Sequence, residues 1–223
     1  IGIDRFEVVG LGGDDVFVIV SGKKAIDFSI GLIERYNAEF RKTEEELKEN
    51  KNPFKSTMSV GVCIAKTDTP IRIMLEIAEE KLKEAKEQAK KDNVKGCDEG
   101  SLAFTVLNDP TDSADHNENR FNAMTTLQPY STKSAHQIID FARKLSVNNS
   151  ITELRNLYDA YCISDSPEEA ELFYKYQNAK AKAGEKIEQP FIWGYDLDGG
   201  LYYRDGKAAF IWRDIIELQK FID

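Results

Sequence analysis

The sequence predicts an α+β chain whose first half alternates strands with helices and whose second half is mainly helical with a small β-hairpin. Three observations carry that reading. Up to Leu107 the apolar pattern runs strand, strand, helix, strand, helix, strand. Asn108 to Asn122 is rich in Asp, Asn, Ser and Pro and almost without apolar residues, so residues 108–126 are expected to link a domain at 1–107 to one at 127–223. Beyond that stretch, serine-capped helical segments take over.

Glu7 to Val20 reads as two β-rich runs around Gly12-Gly13-Asp14-Asp15, a hairpin with a tight turn. Its second run, Val16 to Val20, is apolar throughout and is expected to be covered on both faces. A helix follows from about Lys24 to Asn50, burying Ala25, Phe28, Ile30, Leu32, Ile33, Tyr36 and Phe40, with the charged Lys42 to Lys51 as a solvated extension. Ser56 to Ala65 is an apolar strand. Pro70 opens the next helix, where its missing donor costs little, and that helix runs to about Lys91 with Ile73, Leu75, Ile77, Ala78, Leu82, Ala85 and Ala89 at helical spacing. Leu102 to Leu107 completes an α/β sandwich with an antiparallel centre. In the second half, helices are expected at Ser131 to Leu145, Ser150 to Ile163 and Ser166 to Ala183, with the three serines as N-caps and Pro167 at a first helical position. Pro190 to Tyr195, Leu201 to Tyr203 and Ala208 to Ile211 read as short strands parted by turns at Asp196 to Gly200 and Asp205-Gly206, and Arg213 to Ile222 as a last helix.

Composition narrows the function classes. With 41% hydrophobic and 31% charged residues, the chain has the balance of a folded globular protein. No apolar run approaches the twenty or so residues that cross a bilayer, so no membrane partner is expected, and Ile1 to Val9 lacks the pattern of a signal peptide. A net charge of -9 excludes a surface that binds nucleic acid indiscriminately, though a local basic patch is allowed. Cys63, Cys97 and Cys162 form no CxxC pair and fit reduced thiols in a cytoplasmic compartment. His116 and His136 are too isolated for a metal cluster.

The chemistry is concentrated in Gly12-Gly13-Asp14-Asp15. Glycines let a nucleotide approach the main chain and leave amides free for phosphate oxygens, while adjacent carboxylates supply hard oxygen ligands to Mg²⁺ or Mn²⁺. Such a metal neutralises a triphosphate and activates an attacking hydroxyl. The plainer alternative is an ordinary turn, since Asp and Gly dominate turns.

Around this turn the residues resemble a known family. The hairpin, the long helix, Thr57-Met58-Ser59-Val60-Gly61-Val62, Pro70, and the helix containing Ala78-Glu79-Glu80-Lys81-Leu82-Lys83-Glu84-Ala85-Lys86 are similar to the second palm domain of the large polymerase-like subunit of type III CRISPR effector complexes. Leu127-Gln128-Pro129-Tyr130-Ser131 and Glu169 to Tyr176 resemble the helical C-terminal domain that follows the palm. The resemblance implies a ferredoxin-like palm of the nucleotidyl cyclase and polymerase type, and the conversion of ATP to a cyclic oligoadenylate messenger with Mg²⁺. It implies as partners ATP, the other subunits of the ribonucleoprotein, and its guide and target RNA. Asp14 and Asp15 would hold the metal, Gly12 and Gly13 would lie against the triphosphate, Ser59 would line the adenine and ribose side, and Lys86 would reach a phosphate. Ser59 could equally be a strand hydroxyl bonded to main chain, and Lys86 one more solvated lysine.

The chain departs from the family in one respect. Residues ahead of the hairpin provide the family with a further metal-binding aspartate, whereas here only Ile1 to Phe6 precede it and Asp4 is too close to the turn to serve. Either the chain is a fragment of a longer protein or its metal site is incomplete. Two rival readings remain, a scaffold palm that holds RNA and protein without turning over nucleotide, and a diguanylate cyclase. The second is disfavoured because Asp15-Val16 stands where the GGDEF signature ends in Glu-Phe. Asp196-Leu197-Asp198-Gly199-Gly200 is read as a turn, and the aromatics Tyr158, Tyr161, Phe173, Tyr174, Tyr176, Phe191, Trp193, Tyr202, Tyr203, Phe210 and Trp212 as packing or interface residues.

Overall fold

The computed structural model describes residues 6–47, 56–94, 99–107, 125–148, 152, 155–157, 159–160, 167–181, 186–187, 189–198, 201–204, 207–219 and 221. Asp4, the stretch Asn108 to Asn122, the caps Ser150 and Ser166, Cys97, Cys162, His116, Tyr158, Tyr161 and the Asp205-Gly206 turn lie outside them. The architecture is α+β. In order, β1 (Phe6–Gly12), β2 (Asp15–Val20), α1 (Ala25–Leu47), β3 (Ser59–Ile64), α2 (Ile71–Val94) and β4 (Ser101–Val106) make the first half. β5 (Thr125–Thr126), β6 (Tyr130–Ser131), α3 (Thr132–Asn148), α4 (Pro167–Lys180), β7 (Asp196–Asp198), β8 (Leu201–Arg204), β9 (Lys207–Phe210) and α5 (Trp212–Gln219) make the second.

The sheet centre differs from expectation. β3 and β4 pair in parallel, from Ser59 with Ser101 to Ile64 with Val106, because α2 carries the chain back to the starting edge before β4 begins. β1 and β2 pair antiparallel with each other and, among the described residues, with no other strand. Their apolar side chains are therefore not covered on both faces: Leu11 is 75% exposed and Phe6 59%, and Val16 and Ile19 also face outward. Tyr36, expected in the core, is exposed as well, and its hydroxyl meets Ser56 Oγ at 2.8 Å. Ala25, Ile30 and Ile33 of the same helix face are buried, as helical spacing requires.

α2 lies unusually close to β3. A Cβ at Gly61 would sit 2.2 Å from the Ala78 carbonyl oxygen and 2.3 Å from the Leu82 nitrogen, so only glycine allows this approach. Gly100, with φ of 74°, plays a second such part, since its Cβ would meet the Met58 carbonyl oxygen at 2.1 Å.

The two halves share one core. β6 continues the β3–β4 sheet by pairing antiparallel with β4, and Leu102 and Phe104 are buried in the same cluster as Ile138, Ile211 and Trp212. Ser131 caps α3, accepting a hydrogen bond from the Ser134 amide at 3.2 Å, and α4 begins on Pro167. The small hairpin of the second half is part of a four-stranded sheet of order β5-β9-β8-β7. Pro190 to Tyr195 is not a strand: the chain turns at Trp193 and Gly194, where φ is 83°, and the strand falls on Asp196–Asp198, where a turn was expected. Positive φ at Gly194 ends one extended path and starts the next.

Leu127 to Tyr130 is the polar centre of the junction, with a cis peptide between Gln128 and Pro129. Tyr195 donates its hydroxyl to the Leu127 carbonyl. Gln128 accepts from the Phe104 amide of β4 at 2.6 Å and donates to Asp214 of α5 at 2.9 Å. The fully buried Asp214 carboxylate also accepts the Tyr130 hydroxyl. Every buried polar group of this cluster thus works as a cross-link between elements far apart in sequence.

Candidate active site

The turn between β1 and β2 contains only Gly13 and Asp14, because Gly12 and Asp15 are already paired across the ribbon. Gly13 has φ of 61°, the left-handed conformation that a two-residue hairpin turn demands. A Cβ at Gly12 or Gly13 would meet no atom within 4 Å, so the space over both is open. Asp14 and Asp15 are exposed. Among the described residues no hydrogen bond or ion pair engages either carboxylate. Upstream, the pairing register shifts between Val8 and Gly10, a bulge that bends the ribbon toward its tip.

Ser59 and Lys86 belong to the β3–α2 unit. Ser59 is half-buried at the start of β3, two residues before Gly61 and hence on the face that α2 covers. α2 runs opposite to β3, as the parallel β3–β4 pairing requires, so its residues after Leu82 approach the end of β3 where Ser59 stands. Lys86, one turn beyond Leu82 and exposed, is carried to that same end. Two other cations of α2 are engaged: Lys81 bonds Glu84 at 2.8 Å and Arg72 bonds Glu76 at 2.9 Å. Among the described residues no ion pair engages Lys86.

The structure therefore joins Gly12, Gly13, Asp14 and Asp15 in one tip and Ser59 with Lys86 at one end of β3–α2. No described contact ties the tip to that end. The hairpin touches the rest of the molecule lower down, where Phe6 packs on Phe28 of α1 at 5.7 Å between ring centroids. Just beyond β2, a Cβ on Gly22 would lie 3.1 Å from Ile64 at the far end of β3.

As a metal site the tip offers two hard carboxylates in open space, a donor set that suits Mg²⁺ when substrate phosphate and water complete the shell. Among the described residues no cluster of three or more His, Cys, Asp or Glu could hold a metal by protein ligands alone. The remaining candidates are structural. His136 bonds Glu34 at 2.8 Å on the surface, and burial pushes the half-buried Cys63 thiol up to about 11. Among the described residues no helix is long and apolar enough to cross a membrane.

Sequence reasoning quoted Gly61 without its reason, and missed Asp92, Arg204 and Asp214 altogether. Asp92 had one legible signal: an acid in the last turn of α2, where the helix dipole favours cations.

Compared with known families, residues 3–95 match Cas10/Cmr2, second palm domain. Comparisons with curated proteins and with solved structures give no match. The matched span holds the Gly-Gly-Asp-Asp hairpin, both long helices and β3, and stops short of β4. Over residues 3–95, then, the chain is similar to a Cas10/Cmr2 second palm domain, the palm of a polymerase-like subunit of type III CRISPR complexes.

Proposed function

We propose that this palm is the nucleotidyltransferase centre of its complex, converting ATP to cyclic oligoadenylate. The observation that carries the reading is the pair Asp14 and Asp15, exposed and unengaged at a glycine tip within the matched segment. Mg²⁺ held there with the triphosphate would offset phosphate charge and favour attack by a ribose hydroxyl on the α-phosphorus, with pyrophosphate leaving. The chain's own residues bind and orient. Gly12 and Gly13 leave room for phosphates against the main chain, Lys86 supplies a mobile positive charge to one of them, and Ser59 offers a hydroxyl to the nucleoside. Guide RNA, target RNA and the other subunits of the complex are its partners in this reading, with target RNA as the signal for synthesis.

The test is ATP turnover by the full effector complex with Mg²⁺ and target RNA, comparing wild type with Asp14→Ala/Asp15→Ala. The reading expects oligoadenylate from the wild type and a loss of at least about a thousandfold in the variant. Equal product from both would exclude it, and leave a palm that serves as scaffold.

A further inference from the structure

Arg204 of β8 reaches out of the C-terminal sheet to the last turn of α2. Its Nη2 donates to Asp92 Oδ2 at 2.9 Å, and its Nη1 donates to the Pro129 carbonyl at 2.7 Å and meets the Tyr195 hydroxyl at 2.9 Å. The guanidinium also lies against the Tyr195 ring, 5.2 Å from its centroid. Asp92 is fully used as well, since Gln88 Nε2 donates to its other oxygen at 2.9 Å. Both charged side chains are mostly buried, 18% exposed for Arg204 and 20% for Asp92.

A second observation points the same way. A carboxylate in the last turn of a helix faces the negative end of its dipole, and α2 places Asp92 there directly after Lys90 and Lys91. Within the helix, among the described residues, the acid gains only the hydrogen bond from Gln88, set against an unfavourable dipole. The partner across the junction accounts for it.

We infer that Arg204 is a positioning residue: through Asp92 it fixes the C-terminal part of α2, and with it Lys86, to the second half of the chain. Beside the buried Ala85, Gln88 and Ala89, α2 is held at Ala78 to Leu82 by the close approach to Gly61 and at its end by Arg204 on Asp92, and Lys86 stands between these two. The planar guanidinium reaches its three acceptors from two nitrogens set apart, Nη1 and Nη2, a spread that the single nitrogen of an ammonium cannot reproduce. The inference rests on the reading of Lys86 as a phosphate contact, and assigns to the C-terminal half the placement of that contact.

Arg204→Lys in the full complex, with Asp92→Asn and the double variant, tests it by hydrogen exchange and ATP kinetics. A Tm measurement checks that each variant remains folded. The expected result is exchange about tenfold faster in residues 83–94, with β3 unchanged, and a KM for ATP about fivefold higher at nearly constant kcat. In α2 exchange the double variant should add nothing to Arg204→Lys, because Asp92→Asn removes a contact that the first change has already lost. Unchanged exchange in α2 would overturn the fastening. Faster exchange with an unchanged KM in a complex whose wild type turns over ATP would overturn the positioning role alone, whereas a wild type without turnover would sink the nucleotidyltransferase reading and the positioning role with it.

Discussion

At Gly13 and Gly61 alanine is excluded for opposite reasons. Gly13 has room for a methyl group, with no atom within 4 Å, but its φ of 61° strains any L side chain. Gly61 has no room, because the Ala78 carbonyl oxygen lies 2.2 Å from where a Cβ would stand. Strain of the first kind costs about 1–2 kcal/mol. Backbone overlap of the second kind costs about 1–3 kcal/mol or more, since helix and strand must part as bodies. Thermal unfolding should therefore rank Gly61→Ala as the more destabilised variant, and the ranking would be wrong if Gly13→Ala fell further. Gly61→Ala should also move Lys86, whereas Gly13→Ala acts on the tip that bears Asp14. The glycine pattern was legible as a motif around Gly12 and Gly13, where turn chemistry is local. At Gly61 it was not, because the atom that forbids a side chain belongs to a helix seventeen or more residues on, at Ala78.

Among the elements, those with local signals were read from the sequence and those set by partners were not. α1, α2 and the start of α4 follow from apolar spacing and from Pro167, and Ser131 caps α3 as its position suggests. The β7 strand was misplaced because Pro190 to Tyr195 has strand composition, while Gly194 takes a positive φ. The hairpin was misjudged differently. An apolar run such as Val16 to Val20 signals burial only if a neighbouring layer exists to bury it, and β1 with β2 pairs only with itself among the described residues. A two-stranded ribbon is marginal in water without further strands or a packed face. Amide exchange in β1 and β2 is thus expected to run at least about a hundredfold faster than in β3 and β4, whose strands are sandwiched between α2 and the shared core. Equal protection in both would mean that the hairpin has support from elsewhere.

For the molecule as a whole, the junction around Leu127 to Tyr130 matters more than the composition break that precedes it. Across the polar stretch after Leu107, β6 extends the first sheet and Asp214 binds both Gln128 and Tyr130. Long-range pairing of this kind leaves no periodic trace in a sequence. It does leave a pH signature. Burial, and then the Asp214 carboxylate, hold the Tyr130 phenol well above its ordinary value of 10.0. The folded chain keeps a proton that the unfolded chain releases above about pH 10, so the unfolding free energy is intact below that pH and falls as pH rises beyond it. Urea midpoints should drop as pH rises above about 10, less steeply in Tyr130→Phe, and identical slopes in both proteins would contradict this assignment. At the hairpin tip, Asp14 and Asp15 are exposed, and metal binding there decides the function. It is tested most directly by crystals of the complex grown with Mn²⁺ and a non-reacting ATP analogue, read by anomalous scattering. A manganese peak beside both carboxylates and the triphosphate is expected; nucleotide bound with its manganese away from the hairpin tip would rule out Asp14 and Asp15 as its ligands.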